Sequence, residues 1–90
     1  MRRSRLEIIR DILRVANGAK KTHIMYRANL SFKQTEDYLS FLEEIDFIKK
    51  GSEYKLLERG IEYLKGYGKI ERLITKNSFD KKKHINKNFQ

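Results

Sequence analysis

Apolar residues recur at helical spacing along most of this chain, and one short β-prone stretch interrupts the pattern. Ile9, Ile12, Leu13 and Ala16 form the first stripe, widened by Ile8 and Val15. Ser4 and Glu7 make an S-x-x-E capping box ahead of it, and Asn17-Gly18 supplies a stop. The spacing predicts a helix over 5–16. Residues 19–21 lead out of it, with a short strand as an alternative.

The next stretch, KKTHIMYRANLSFKQTEDYLSFL at 20–42, reads as two short helices and a tight turn. The first starts at Thr22 as N-cap and buries Ile24, Met25 and Ala28. Asn29 suits the left-handed conformation that ends a helix, and Leu30 plugs the corner. Ser31 restarts the chain as an N-cap, with Gln34 completing an S-x-x-Q box. Thr35, Leu39 and Leu42 then mark the inward stripe of a helix over 32–44, with Tyr38, Phe41 and Ile45 broadening it. Lys33, Asp37 and Ser40 lie roughly opposite, facing out. This is the helix-turn-helix pattern, although an ordinary helical hairpin with a solvated face has the same periodicity.

Phe47-Ile48 and Tyr54-Lys55-Leu56 flank Gly51-Ser52, a pattern that predicts a hairpin of three- to four-residue strands. Lys49 or Lys50, with Lys55, would face outward from it. A basic hairpin after a helix-turn-helix makes a winged helix. From Glu58 the helical period returns: Ile61 and Leu64 suit packing on the domain, and Tyr63, Tyr67, Ile70 and Ile74 are spaced as a heptad seam. Gly66 and Gly68 each weaken that helix by roughly 1 kcal/mol against Ala. They leave three readings open: a bend, a close approach by a partner helix, or a break. Residues 78–90 are polar and basic and read as a flexible tail. The expected architecture is mainly α with a small β-hairpin. It divides into a winged helix-turn-helix over 1–60, a C-terminal dimerisation helix over 61–77 and the tail.

Composition sharpens this picture. The net charge of +9 is uneven: residues 1–20 carry six basic and two acidic residues, 21–57 six of each, and 58–90 nine and four. Such an excess suits a polyanion such as nucleic acid, though it also serves solubility or an acidic membrane surface. With no Cys there is no disulfide framework or thiolate metal site. The longest apolar runs are too short to span a membrane, and the arginines at 2 and 3 precede no signal-peptide core. A soluble intracellular protein is expected.

Little in the chain suggests chemistry on a substrate. His23 and His84 lack metal-ligand spacing. The neighbouring acids Glu36-Asp37 and Glu43-Glu44 point about 100° apart on a helix and make no ready dyad. No Gly-rich phosphate loop is present. No enzyme, cofactor or small-molecule substrate is expected. Most of Tyr26, Tyr38, Phe41 and Phe47 are better explained as core than as base-stacking platforms.

As a DNA binder, the helix over 32–44 would enter the major groove and the hairpin over 47–57 would follow the backbone. Lys33 and Gln34 suit guanine and adenine edges, and Asp37 suits cytosine unless it is solvated or paired with a lysine. Ser31, Ser40 and Arg27 suit phosphate, as do Lys49, Lys50 and Lys55. The other reading is a winged-helix protein-interaction module, motivated by the neutral 21–57 region and its acids.

KTHIMYRANLS at 21–31, Tyr38-Leu39 and Leu42, Phe47-Ile48, and Tyr54-Lys55-Leu56 up to Gly60 resemble an archaeal winged-helix family. That family includes the ten-kilodalton dimeric chromatin-type DNA-binding proteins of Sulfolobus and related predicted transcriptional regulators. The resemblance covers about residues 4–65. It implies a homodimer held by an antiparallel coiled coil of C-terminal helices, here through Tyr63, Tyr67, Ile70 and Ile74. It also implies double-stranded DNA as partner and a nucleoid-associated location. Leu57 stands where the family commonly has a Thr N-cap, and Glu36 and Asp37 put acid on the DNA helix.

Overall fold

The computed structural model describes residues 2–76. Its elements are α1 (Arg5–Ala16), α2 (Lys21–Arg27), α3 (Phe32–Glu44), β1 (Ile48–Lys49), β2 (Lys55–Leu56) and α4 (Glu58–Lys76). The basic tail expected over 78–90 lies outside the described residues.

Both capping boxes form. The Ser4 hydroxyl accepts from the Glu7 amide at 3.1 Å while the Glu7 carboxylate accepts from Ser4 N–H at 2.7 Å. Ser31 and Gln34 repeat the arrangement ahead of α3. Each box satisfies helix-end amides that would otherwise lack partners. The start of α2 differs from expectation. It begins at Lys21, one residue before the proposed Thr22 cap, and Lys20 holds the N-cap with no side-chain bond. Tertiary contacts set this start instead: Gly18 N–H donates to the Tyr54 carbonyl and Tyr54 N–H to the Ala19 carbonyl, both at 2.8 Å. Residues 18 and 19 thus bond to Tyr54 beside the hairpin without forming the alternative short strand over 19–21.

Asn29 adopts φ 56° between α2 and α3, where the Leu30 amide donates to the Met25 carbonyl. Asp46 takes φ 63° after α3, a left-handed turn that aims the chain into β1. The strands are two residues long, shorter than expected, and antiparallel, pairing Ile48 with Leu56 and Lys49 with Lys55.

Ile9, Ile12, Leu13 and Ala16 of α1 meet Ile24 and Ala28 of the α2 region, Leu39 and Leu42 of α3, Ile48 of the wing, and Tyr54 beside it. Thr35 is the buried polar residue among them, and its hydroxyl donates to the Ser31 carbonyl at 2.8 Å. That bond offsets the cost of burying the hydroxyl. Leu30, Tyr38, Ile45, Phe47 and Leu64 pack around this core, whereas Ile61 is exposed. Tyr26 and Phe41 depart from the expected core role: they are 76% and 45% exposed.

α4 runs unbroken through Gly66 and Gly68, which removes the break among the three readings. It docks along α1, where Arg10 and Arg14 both reach Glu71, at 2.8 and 3.3 Å. These arginines therefore tie α1 and α4 together. Three helices, a tight turn and a hairpin packed on one core make a winged helix-turn-helix, with α4 as its C-terminal extension.

Candidate nucleic-acid interface

α3 buries Thr35, Leu39 and Leu42, so the 3.6-residue period turns Lys33, Asp37, Ser40 and Glu44 outward. All four are exposed, with Gln34 and Phe41 on one flank. Lys33 donates to Asp37 at 3.1 Å, an exposed i,i+4 pair whose worth is only a few tenths of a kcal/mol, about 0.3–0.5. Either side chain can leave it at little cost. Gln34 is more committed. Its carbonyl oxygen accepts from the Ser31 amide, and the two-bond pattern that an amide presents to adenine needs that oxygen. Ser31 is exposed, but its hydroxyl already accepts from Gln34 N–H.

The helix carries one basic residue, Lys33, against Glu36, Asp37, Glu43 and Glu44. Glu36 is neutralised by Lys21, whose ammonium lies 2.6 Å away and 5.5 Å from the Phe32 ring centre. The Glu36 hydrogen bond holds the Lys21 ammonium above its usual value.

The hairpin is electrostatically different. Lys49 and Lys55 are directly opposed across the two strands and lie on the exposed face. Lys50 follows, and the three lysines border a hollow of about 250 Å³ with Gly51, Ser52 and Glu53. None of the three makes an ion pair among the described residues. Arg27, at the end of α2, is likewise exposed and unpaired there.

Tyr26 is the residue of this surface that periodicity marks most clearly and that a core assignment obscures. It stands two positions after buried Ile24, about 200° around the helix, and so points away from the core. Phe32 and Phe41 add exposed aromatic surface on α3.

The four proposed dimer residues divide into two groups. Tyr63 packs within its own chain: its hydroxyl donates to the Leu6 carbonyl at 2.9 Å, and its ring centre lies 5.6 Å from Phe47 and 6.0 Å from Tyr67. Burial pushes the Tyr63 phenol up. Tyr67 lies under the Arg10 guanidinium at 5.1 Å. Ile70 and Ile74, one and two turns further on, are 60% and 48% exposed. Among the described residues, no three His, Asp or Glu side chains gather as a metal would require. No helix there is long and apolar enough to cross a membrane.

A family model described as winged helix-turn-helix matches residues 2–75. The chain belongs to that family. The match covers α1 through nearly all of α4. An uncharacterized protein of Methanocaldococcus jannaschii is 40% identical over 62 residues, covering 66% of this chain and 64% of the relative. A second from the same organism is 35% identical over 77 residues, covering 82% of this chain and 36% of that relative. The chain thus spans under two thirds of the length of either. Within the winged helix-turn-helix family, α3 occupies the position of the second helix of the motif and the Lys-rich hairpin that of the wing.

Proposed function

We propose that this chain binds double-stranded DNA as a homodimer, acting as a transcriptional regulator or an architectural chromatin protein. α3 would enter the major groove, with Lys33, Asp37 and Ser40 facing bases and backbone. Gln34 would join them on release from its cap. Arg27, Ser31, Lys49, Lys50 and Lys55 would meet phosphates. Residues 61–76 would form the dimer helix, with the exposed Ile70 and Ile74 as the contact.

One observation carries this reading. Like charges directly opposed across a hairpin destabilise it, and Lys49 and Lys55 are so opposed, neither ion-paired to an acid among the described residues. A phosphate between them would convert that repulsion into attraction. Fluorescence anisotropy with a random-sequence duplex at low salt tests it. Affinity whose logarithm falls linearly with the logarithm of salt supports the proposal; no binding at micromolar protein sinks it. Enrichment of particular sequences from a random pool would mean a regulator, and none an architectural role.

A protein-interaction module is the second reading. It is favoured by the acids of α3 and by exposed Phe32 and Phe41 on the same helix. It predicts that Lys49→Ala and Lys55→Ala leave the function of the chain unchanged.

A further inference from the structure

α3 brings little free positive charge to a duplex: Lys33 is its single basic residue and is paired to Asp37. The hairpin serves the C-terminal end of α3, where the Phe47 amide donates to the Leu42 carbonyl. The rest of α3 has its own source of cations, and it comes from the residues around the start of α1.

Arg3 is the anchor. Its guanidinium donates to Asp11 at 2.8 Å and to the carbonyl of Asn29 at 3.0 Å. Asn29 is the left-handed residue of the turn between α2 and α3, so this bond fastens the N-terminal arm to the turn that sets the entry of α3. The Arg3 charge is already compensated by Asp11. Arg2 and Arg5 are exposed and make no ion pair among the described residues. Arg2 borders a hollow of about 400 Å³ with Arg3, Ile8, Asn29 and Gln34. Arg5 borders another, of about 290 Å³, with Asp37, Tyr38 and Phe41. Two guanidinium groups without an ion pair therefore flank α3, Arg2 at its N-terminal end beside Gln34 and Arg5 along its middle beside Asp37, Tyr38 and Phe41. A guanidinium binds phosphate through parallel N–H bonds, which suits it to this task.

We infer that Arg2 and Arg5 contact DNA phosphates beside α3, Arg2 at its N-terminal end and Arg5 along its middle, and that Arg3 is a positioning residue that holds the arm for them. This rests on the DNA-binding reading and extends it to residues outside the helix-turn-helix and wing.

The test uses the full chain and a random-sequence duplex, titrated by anisotropy between about 50 and 200 mM salt. Arg2→Ala and Arg5→Ala should each weaken binding to all sequences. Each should make the log–log salt slope shallower by about 0.9 for every phosphate that is no longer neutralised. Arg2→Lys should keep most of the slope. Arg14→Ala removes the same charge from the opposite face of α1, nine residues from Arg5, and should change the slope least. Arg3→Ala should flatten the slope about as much as Arg2→Ala, and Arg2→Ala should add little on the Arg3→Ala background. An Arg3 acting only on stability would move the thermal midpoint and leave the two effects additive. If the parent binds duplex and both Arg2→Ala and Arg5→Ala keep its slope, or match Arg14→Ala, the arm contact is overturned and the DNA reading stands. If the parent binds no duplex, both fall.

Discussion

Gly60 is buried where α4 leaves the hairpin, and a Cβ built there would lie 2.5 Å from the Phe47 carbonyl oxygen. Phe47 is held from both sides, because its amide donates to Leu42 and its carbonyl accepts from Leu57. The backbone has little room to yield. Gly60→Ala should therefore destabilise the chain by about 1–3 kcal/mol, despite the better helix propensity of Ala. Gly66 is the contrast, since a Cβ there meets nothing within 4 Å. In the isolated subunit Gly66→Ala should stabilise by up to about 1 kcal/mol. Chemical denaturation of both variants checks the pair. Asp11 is the other residue whose environment makes a sharp prediction. Burial pushes its carboxyl up, but hydrogen bonds and charge from Arg3 and Arg10 outweigh that and hold it below its ordinary value. A lowered carboxylate pKa stabilises the fold above the unfolded value, about 3.9, and that contribution is lost as pH falls through the folded value. Asp11→Asn should be less stable at neutral pH, by about 1–3 kcal/mol, and should show a flatter acid limb. Equal pH profiles for parent and variant would count against the linkage.

The wing shows at the level of an element how a binding surface and stability can oppose each other. Its strands are only two residues each, and a hairpin this short persists because Ile48 and Tyr54 are buried in the shared core. On its outer face the Lys49–Lys55 pair works against folding. Lys49→Ala should raise the stability of the free protein by about 0.2–1 kcal/mol. The same substitution should lower duplex affinity across sequences and reduce the salt slope by about one phosphate per bound subunit. Thermal melts and salt titrations on one sample measure both. Lys33→Ala, on α3, should instead relax discrimination at one base position, at a cost of roughly 1–3 kcal/mol if it reads guanine. Wing and helix variants that change only the salt slope would point to architectural binding.

Across the whole molecule, α4 is held to the domain as far as Glu71 and extends beyond it thereafter. The described chain measures 51 × 27 × 18 Å, an elongated shape set by that helix. Glu71, held by Arg10 and Arg14, marks how far α1 supports it. Ile70 and Ile74 remain exposed in the final turns. Ile70→Asp should cost the subunit little, because the site is open to water, yet it places an unpaired charge in the proposed dimer contact. Sedimentation should give a dimer for the parent and a folded monomer for the variant. A monomeric parent at high concentration would remove the dimer from the proposal.

Features governed by neighbours within four residues were legible in the sequence. The S-x-x-E and S-x-x-Q boxes set the starts of α1 and α3, and the inward stripes named Ile9, Ile12, Leu13, Thr35, Leu39 and Leu42. Asn29 announced its own left-handed turn. These depend on local hydrogen bonds and on the helical period, which a sequence displays directly. Tertiary structure alone decided the rest. The start of α2 follows from hydrogen bonds between residues 18–19 and Tyr54, not from Thr22. Aromatics at the margins of a stripe are ambiguous by period, and packing turned Phe47 and Tyr38 inward while leaving Phe41 out. Arg10 and Arg14 found Glu71 at separations of 61 and 57 residues, and Arg3 found Asn29 at 26. Such partners are chosen by how the helices dock, and docking minimises exposed apolar area across the whole chain rather than within any one stretch of it.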